Sequence, residues 1–253
     1  LRQFNEQVTK HRGLTNSALH GNKDVRDQLA LIEKSIGTNM QAVLETDSQI
    51  MDGTTFGVIL ETADKVASLR KDWESLKLKT QSQASAQELF AGHNALLASS
   101  MSLLTQVADR SGLSTDADLA SNYLVRIAVD AMPEAIDSTE KVRSLMNGAA
   151  LSKTLSSEDQ NQLVQEGVKA NAGLNRIENF FGKAVAANSG ATGDIVSQQQ
   201  QIASNALRDC RAFLKKLEGF NVVNASAEQS LSEGSRCLDR LFFVYDASTN
   251  SLV

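Results

Sequence analysis

The chain has 253 residues, and its single proline, 15 glycines and 5% aromatic residues leave little that interrupts helices or favours strands. A net charge of −5 excludes the basic surface that nucleic-acid binding requires. No apolar run reaches the roughly 18 to 20 residues of a membrane span. We therefore predict an all-α protein without a nucleic-acid partner.

Apolar residues spaced three and four apart predict four helices in the first half of the chain. These helices are expected to break at Gly21-Asn22, at Asp52-Gly53-Thr54, from Gln81 to Ala84, and at Ser111-Gly112. Ser85 and Glu88 have the spacing of a capping box, which predicts the start of the fourth helix.

A second group of four helices is predicted from about Thr115. Its first helix is long, and Pro133 is expected to kink it near Ala131 or to begin a new segment, because proline removes a backbone donor. The other predicted boundaries are a cap at Ser157, helix ends near Ser189-Gly190 and at Gly219, and a capping box of Ser226 with Gln229.

Two pairs of similar segments indicate that the second group duplicates the first. Residues 8–16 align with residues 139–147, and residues 84–89 resemble the segment around residues 225–231. We predict two tandem up-and-down four-helix bundles, the first spanning residues 1–112 and the second residues 115–253.

The predicted topology also indicates where the two ends of the domain lie. An even number of helices returns the chain to the side where it started, as in a domain inserted between two membrane helices and in many soluble bundles. The sequence begins at Leu1 within helical spacing and without a cap, so we expect it to be cut from a longer protein.

Cys210 and Cys237 lie almost equally far from the turn between the last two predicted helices. They can therefore face each other, and a disulfide would indicate an oxidising compartment such as the periplasm. Two buried free thiols are the alternative, since cysteine is common in protein cores.

The sequence lacks the motifs of known catalytic chemistry. None of its histidines, His11, His20 and His93, has a glutamate three residues before it, as di-iron bundles require. There is no paired C-x-x-C, no nucleotide-binding glycine loop and no nucleophile elbow. We expect no enzymatic activity, no cofactor and no metal site.

Arg12 and Arg143 fall on apolar helix stripes, where a guanidinium must be compensated. One interpretation is a salt bridge from the guanidinium to a carboxylate of a neighbouring helix, or an arginine whose aliphatic stem lies on the core while its guanidinium reaches water. The other is an anion site, because the guanidinium fork grips carboxylate, nitrate or phosphate at two points. Asn16 and Asn147, one turn further on, would then add amide contacts.

Three residues of the first module extend this candidate site. Arg70 falls on the stripe of Val66 and Trp73 and is a third candidate anion ligand. Trp73 either walls such a pocket or is simply core, the commoner role. His11 adjoins Arg12, and we expect it to be exposed and to titrate near neutral pH.

These residues carry a resemblance to a family. Residues 10–15, followed by 19–22, resemble the opening of the all-helical extracytoplasmic sensor domains of bacterial transmembrane receptors, the nitrate- and nitrite-sensing type and its relatives. Segments similar to the middle and end of such domains are Tyr123, Pro133-Glu134, residues 143–145, residues 157–159, residues 238–242, Tyr245-Asp246 and Leu252.

The resemblance implies a periplasmic sensor domain of a chemoreceptor, sensor kinase or cyclic-dinucleotide enzyme, anchored in the membrane on both flanks and acting as a homodimer. In the nitrate-sensing branch, arginines near the start of the first helix and on later helices hold the anion. Only Arg12 matches that position, and His11 stands where a second arginine is expected. A short organic carboxylate, as bound by the related helical bimodular domains, is therefore a candidate equal to nitrate or nitrite.

An alternative function is a helical scaffold or adaptor that binds protein partners and no small molecule. Such a protein should show exposed apolar patches or long hydrophobic seams instead of buried arginine.

Overall fold

The computed structural model describes residues 1–51, 55–82, 84–187 and 193–250. These residues are overwhelmingly helical and include no strand, which confirms the all-α prediction. The chain divides after Gly112 into two compact units, unit 1 (Leu1–Gly112) and unit 2, which begins at Leu113. None of the described helices combines the length and apolarity needed to cross a membrane.

The described residues of unit 1 form four long α-helices and one short one. They are α1 (Arg2–Leu19), α2 (Arg26–Met51), α3 (Thr55–Leu60), α4 (Ala63–Thr80) and α5 (Ala86–Arg110). In this unit α1 packs against α2 and α5, and α4 packs against the same two helices. The core between them includes Phe4, Ile36, Leu69, Trp73 and Leu96.

The helix boundaries of unit 1 follow the turn signals of the sequence. The predicted break at Gly21-Asn22 is confirmed, since α1 ends at Leu19 and Gly21 has a φ of 99°, which favours glycine. Both halves of the capping box between Ser85 and Glu88 are present. The break predicted at Asp52-Gly53-Thr54 lies outside the described residues.

Unit 2 is built from α6 (Leu119–Arg126), a π-helical segment (Ile127–Ala131), α7 (Met132–Ser152), α8 (Ser157–Ala187), α9 (Gly193–Leu214) and α10 (Ala227–Asn250). In this unit α7 packs against α8 and α10, and α9 packs against the same two helices. The core includes Ile136, Leu174, Phe181, Leu207 and Leu241.

Pro133 is accommodated by a change of helix type. The wider π-helical turns come directly before α7, and Pro133 is in the first turn of α7. Proline lacks the N–H that a regular helix would use here, and its ring would clash with the carbonyl four residues earlier, so a wider turn relieves both problems. The disturbance thus occurs where the sequence predicts it, at Ala131.

Two predicted caps of unit 2 need correction. Ser156, and not Ser157, caps α8, since its hydroxyl accepts the Asp159 N–H at 3.0 Å. Ser226 does cap α10 by accepting the Gln229 N–H at 3.2 Å, but the Gln229 side chain bonds to Glu233. The predicted third helix of this unit is α-helical only to Leu214 and continues as the 3₁₀-helix Lys215–Gly219.

A disulfide joins Cys210 of α9 to Cys237 of α10, with the two Cα atoms 4.9 Å apart. Both cysteines lie in the core of unit 2. The bridge therefore fixes the register of these two helices from inside the unit. The helix end predicted near Ser189-Gly190 lies outside the described residues.

Candidate functional site

Arg12 is the largest completely buried side chain of unit 1, with 1% of the residue exposed. It is buried because it follows Phe4 and Val8 on the core-facing stripe of α1, at intervals of one helical turn. Its Nη1 donates to Asn94 Oδ1 at 2.6 Å, and its guanidinium lies 5.5 Å from the centre of the Phe90 ring. Asn94 and Phe90 both belong to α5, so these two contacts hold the guanidinium at the α1–α5 interface.

Two threonines lie on the same face of α1 as Arg12, one turn before it and one turn after it. Thr9 and Thr15 are both buried, and the Thr15 hydroxyl has no hydrogen-bond partner in the structure. A buried hydroxyl without a partner is costly, so a water or another polar group is expected beside it. Asn16 is half-buried, and its carbonyl oxygen lies 2.8 Å from His20 Nδ1.

His11 was expected to be exposed, and this expectation is wrong. The residue is fully buried, with Nδ1 2.7 Å from Nε2 of the equally buried His93 and the edge of its ring against Trp73. Burial, the neighbouring His93 and Lys77 lower the pKa of His11 to about 3. The residue is therefore neutral at pH 7, which also overturns the expected titration near neutrality.

Arg70 does not join the site, contrary to the sequence analysis. Its side chain is 56% exposed and pairs with Glu74 on the same helix. The buried stripe of α4 consists of Val66, Leu69, Trp73 and Leu76. Arg70 follows Leu69 directly and is rotated about 100° from it around the helix, so its side chain leaves the core.

Arg143 of unit 2 is compensated by an acid. Its Nη2 donates to Glu140 Oε1 at 3.2 Å, and its Nη1 donates to Ser235 Oγ at 2.8 Å. Glu140 is fully buried and also accepts a hydrogen bond from Ser144. This is a salt bridge, but it lies within α7 and does not reach a neighbouring helix as the sequence analysis expected, and Nε of Arg143 has no hydrogen-bond partner in the structure. Asn147 is buried one turn further on and donates to the carbonyl of Ala227 at 2.9 Å.

The two arginines make equivalent contacts in their units. Each lies on a helix that packs against the last helix of the unit, and each donates to a side chain of that last helix, Asn94 or Ser235. These two acceptors both lie nine residues after the serine that caps their helix. The match of position and partner agrees with the similarity of the two segments in sequence.

The equivalent positions differ in charge. Aligned on the arginines, Thr9 of unit 1 corresponds to Glu140 of unit 2, and Thr15 corresponds to Met146. Unit 1 thus has two hydroxyls flanking its arginine where unit 2 has a carboxylate and a thioether. An incoming anion would be repelled by the carboxylate and could accept hydrogen bonds from the hydroxyls.

Four residues of these clusters were missed by the sequence analysis, namely His93, Asn94, Glu140 and Ser235. A signal existed for His93, which lies four residues after Leu89 and three before Leu96 on one apolar stripe. Asn94 and Ser235 become visible only when the two capping serines are used to align α5 with α10.

Unit 2 has a separate cavity of about 600 Å³, lined by Met146, the 3₁₀-helix Lys215–Gly219 and the start of α10. Its wall contains two lysines and two glutamates, and Lys216 bonds to Glu233. The charges of the wall balance, so this cavity has no preference for an anion.

Within the described ranges, no group of three or more His, Cys, Asp or Glu side chains is placed to hold a metal ion. Comparison of the chain with protein-family models, with curated protein sequences and with solved structures gave no match.

Proposed function

We propose that this protein is a ligand-sensing domain that binds a small anion in unit 1, with Arg12 as its main ligand. The observation that carries the proposal is the pair of buried hydroxyls, Thr9 and Thr15, flanking Arg12 where unit 2 has Glu140 and Met146. The unit 2 arginine pairs with a carboxylate of its own helix, and the helix positions that flank the unit 1 arginine carry hydroxyl groups that can donate hydrogen bonds.

The ligand class follows from these donors. A guanidinium offers two parallel N–H groups, which suit the two oxygens of nitrate, nitrite or a short carboxylate. The Thr15 hydroxyl supplies a further donor one turn along α1. The ligand must also be small, because the site lies in the interior of a helical unit.

A receptor context is part of the proposal. We infer that each unit is an up-and-down four-helix bundle derived from one duplicated module, and that the domain is the periplasmic part of a membrane receptor that works as a homodimer. The buried disulfide supports an oxidising compartment. Signalling then requires only that the anion binds one packing arrangement of the helices more tightly than another.

Calorimetry with nitrate, nitrite, formate, acetate and succinate tests the binding site. We expect at least one of these anions to bind, and Arg12→Gln to weaken its binding about tenfold or more, since a charged hydrogen bond contributes about 1.5 to 3 kcal/mol. Arg143→Gln is the matched control and should leave the affinity unchanged.

Arg12→Lys keeps the charge and removes the planar fork, so it should bind more weakly than the wild type and more tightly than Arg12→Gln. Binding lost only in Arg143→Gln would move the site to unit 2. If no anion binds the folded wild-type protein, both arginines are structural and the sensor proposal fails.

A further inference from the structure

Four groups form a chain that crosses three helices of unit 1. Nδ1 of His93 lies 2.6 Å from the carbonyl oxygen of Leu89 on α5, and Nε2 of His93 lies 2.7 Å from Nδ1 of His11 on α1. Nε2 of His11 lies 3.6 Å from Oε1 of Glu33 on α2. The carbonyl at one end of this hydrogen-bonded chain can only accept hydrogen bonds. The same is true of the Glu33 carboxylate at the other end when Glu33 is ionised.

The carbonyl end determines where the protons of the two imidazoles lie. Because the carbonyl oxygen of Leu89 can only accept a hydrogen bond, Nδ1 of His93 must carry a hydrogen. In neutral His93, Nε2 is then an acceptor. Nδ1 of His11 must therefore donate to it. This leaves Nε2 of His11 with a lone pair, and that buried atom has no hydrogen-bond partner in the structure.

The chain is thus one proton short. It has three links, each of which needs one hydrogen, and two neutral imidazoles supply two. The missing link is the one between His11 and Glu33, where two acceptors face each other and no hydrogen lies between them. One additional proton would complete all three links by placing a hydrogen between Nε2 of His11 and Oε1 of Glu33.

We propose that this chain is a proton-binding site, at which Nε2 of His11 takes up one proton from solvent and donates it to Glu33, drawing α1 towards α2. No other bond is formed or broken in this step. Glu33 is partly exposed, with 19% of its side chain accessible, so a proton can enter from its side. Unit 1 therefore contains an acid-responsive contact between two of its helices.

The charged groups around the chain set the conditions for proton uptake. Lys77 of α4 lies 3.9 Å from Glu33 Oε2, and its charge acts on His11, while the charge of Arg12 on α1 acts on His93. Burial is the main cause that lowers the pKa of His93, to about 4, and it also lowers the pKa of His11, to about 3. The site is consequently empty at pH 7 and fills in acid.

Nitrogen-15 NMR of the histidine side chains at pH 7 tests the proton positions directly. We expect both His11 and His93 to be Nδ1–H tautomers, whereas a neutral histidine in water prefers Nε2–H. His20 is not part of the hydrogen-bonded chain and accounts for the third histidine signal. An Nε2–H tautomer of His11 at pH 7 would overturn the proposal, whatever the stability of any variant.

Trp73 is the single tryptophan of the protein, and its ring contacts His11. Its fluorescence tests proton uptake, because an imidazolium quenches an indole that it contacts. We expect a one-proton quenching transition in acid that precedes the loss of helical circular dichroism. His11→Gln should abolish the transition, Glu33→Gln should move it to lower pH, and His20→Gln should leave it unchanged. Quenching that coincides with unfolding, or that is unaffected by Glu33→Gln, would contradict the proposal.

Discussion

The two buried arginines show how one residue type in one helical position is compensated in two ways. Arg143 pairs with Glu140 of its own helix, and Arg12 lies between two threonines and donates to the Asn94 amide oxygen of the neighbouring helix α5. An anion that enters beside Arg12 could accept hydrogen bonds from the flanking threonine hydroxyls, whereas beside Arg143 it would meet the Glu140 carboxylate. This difference is the physical basis for the proposal that unit 1 binds the ligand.

Gly234 provides a test of the packing around Arg143. A Cβ atom at this position would lie 2.5 Å from Cγ of Arg143 and 2.8 Å from its Cδ. We expect Gly234→Ala to destabilise unit 2 by about 1 to 3 kcal/mol, the usual cost of overpacking, in urea unfolding.

The matched control is Gly37→Ala in α2, where a Cβ would meet nothing within 4 Å. It should stabilise its helix by about 0.5 to 1 kcal/mol, the difference between alanine and glycine in a helix interior. Equal effects of the two substitutions would show that Arg143 does not pack against Gly234 in solution.

Acid should destabilise unit 1 in a window set by its buried histidines. The pKa values of His11 and His93 are lowered from 6.5 to about 3 and about 4, so the unfolded chain binds protons more readily than the folded one. Their contribution to stability is complete above pH 6.5 and is lost as the pH falls towards these lowered pKa values.

Urea unfolding followed by Trp73 fluorescence between pH 7 and pH 5 measures this effect, because most carboxylates stay ionised in that range. The unfolding free energy of the wild type should fall with decreasing pH. A protein carrying both His11→Gln and His93→Gln should show a flatter dependence, and a wild-type stability that does not change over this range would contradict the burial of the two imidazoles.

The candidate site could be predicted only in part from the sequence. Arg12 and Arg143 were found because an arginine on an apolar stripe stands out in a single helix. Arg70 was misplaced because Val66 and Trp73 define a stripe that passes close to both Leu69 and Arg70, and only packing decides which one faces inward. The contact between His11 and His93 joins residues far apart in the chain, which no local pattern encodes.

At the scale of elements, local chemistry predicts helix ends better than helix partners. The box at Ser85 and Glu88, the cap at Ser226 and the disturbance before Pro133 are short-range features and occur where the sequence places them. The cap of α8 was misassigned between two adjacent serines, Ser156 and Ser157. Both can accept a hydrogen bond from the first turn, so the choice depends on backbone geometry.

The disulfide links α9 to α10 and should stabilise unit 2. Closing a loop of 27 residues contributes about 3.5 kcal/mol in the chain-entropy estimate. We expect Cys210→Ala combined with Cys237→Ala to lower the stability of unit 2 by an amount of this order. Denaturant unfolding of unit 2, followed by circular dichroism, measures it, and an unchanged midpoint would show that the bridge does not form in the folded protein.

For the whole molecule, the division after Gly112 places the proposed binding groups and the disulfide in different units. The buried histidines and the proposed anion site belong to unit 1, and the disulfide and the buried pair of Glu140 with Arg143 belong to unit 2. In the proposed duplicated module, the copy in unit 2 would serve structure and the copy in unit 1 would serve binding.

The most direct test of this account transfers one residue between the copies. Thr9→Glu places in unit 1 the carboxylate that neutralises Arg143 in unit 2, and the variant should fold because it reproduces an ion pair that the protein already contains. Calorimetric titration with the anion that binds the wild type should then show binding reduced at least tenfold, since the new carboxylate occupies the guanidinium. Anion binding that is unchanged in folded Thr9→Glu protein would contradict the central claim that Arg12 holds the ligand.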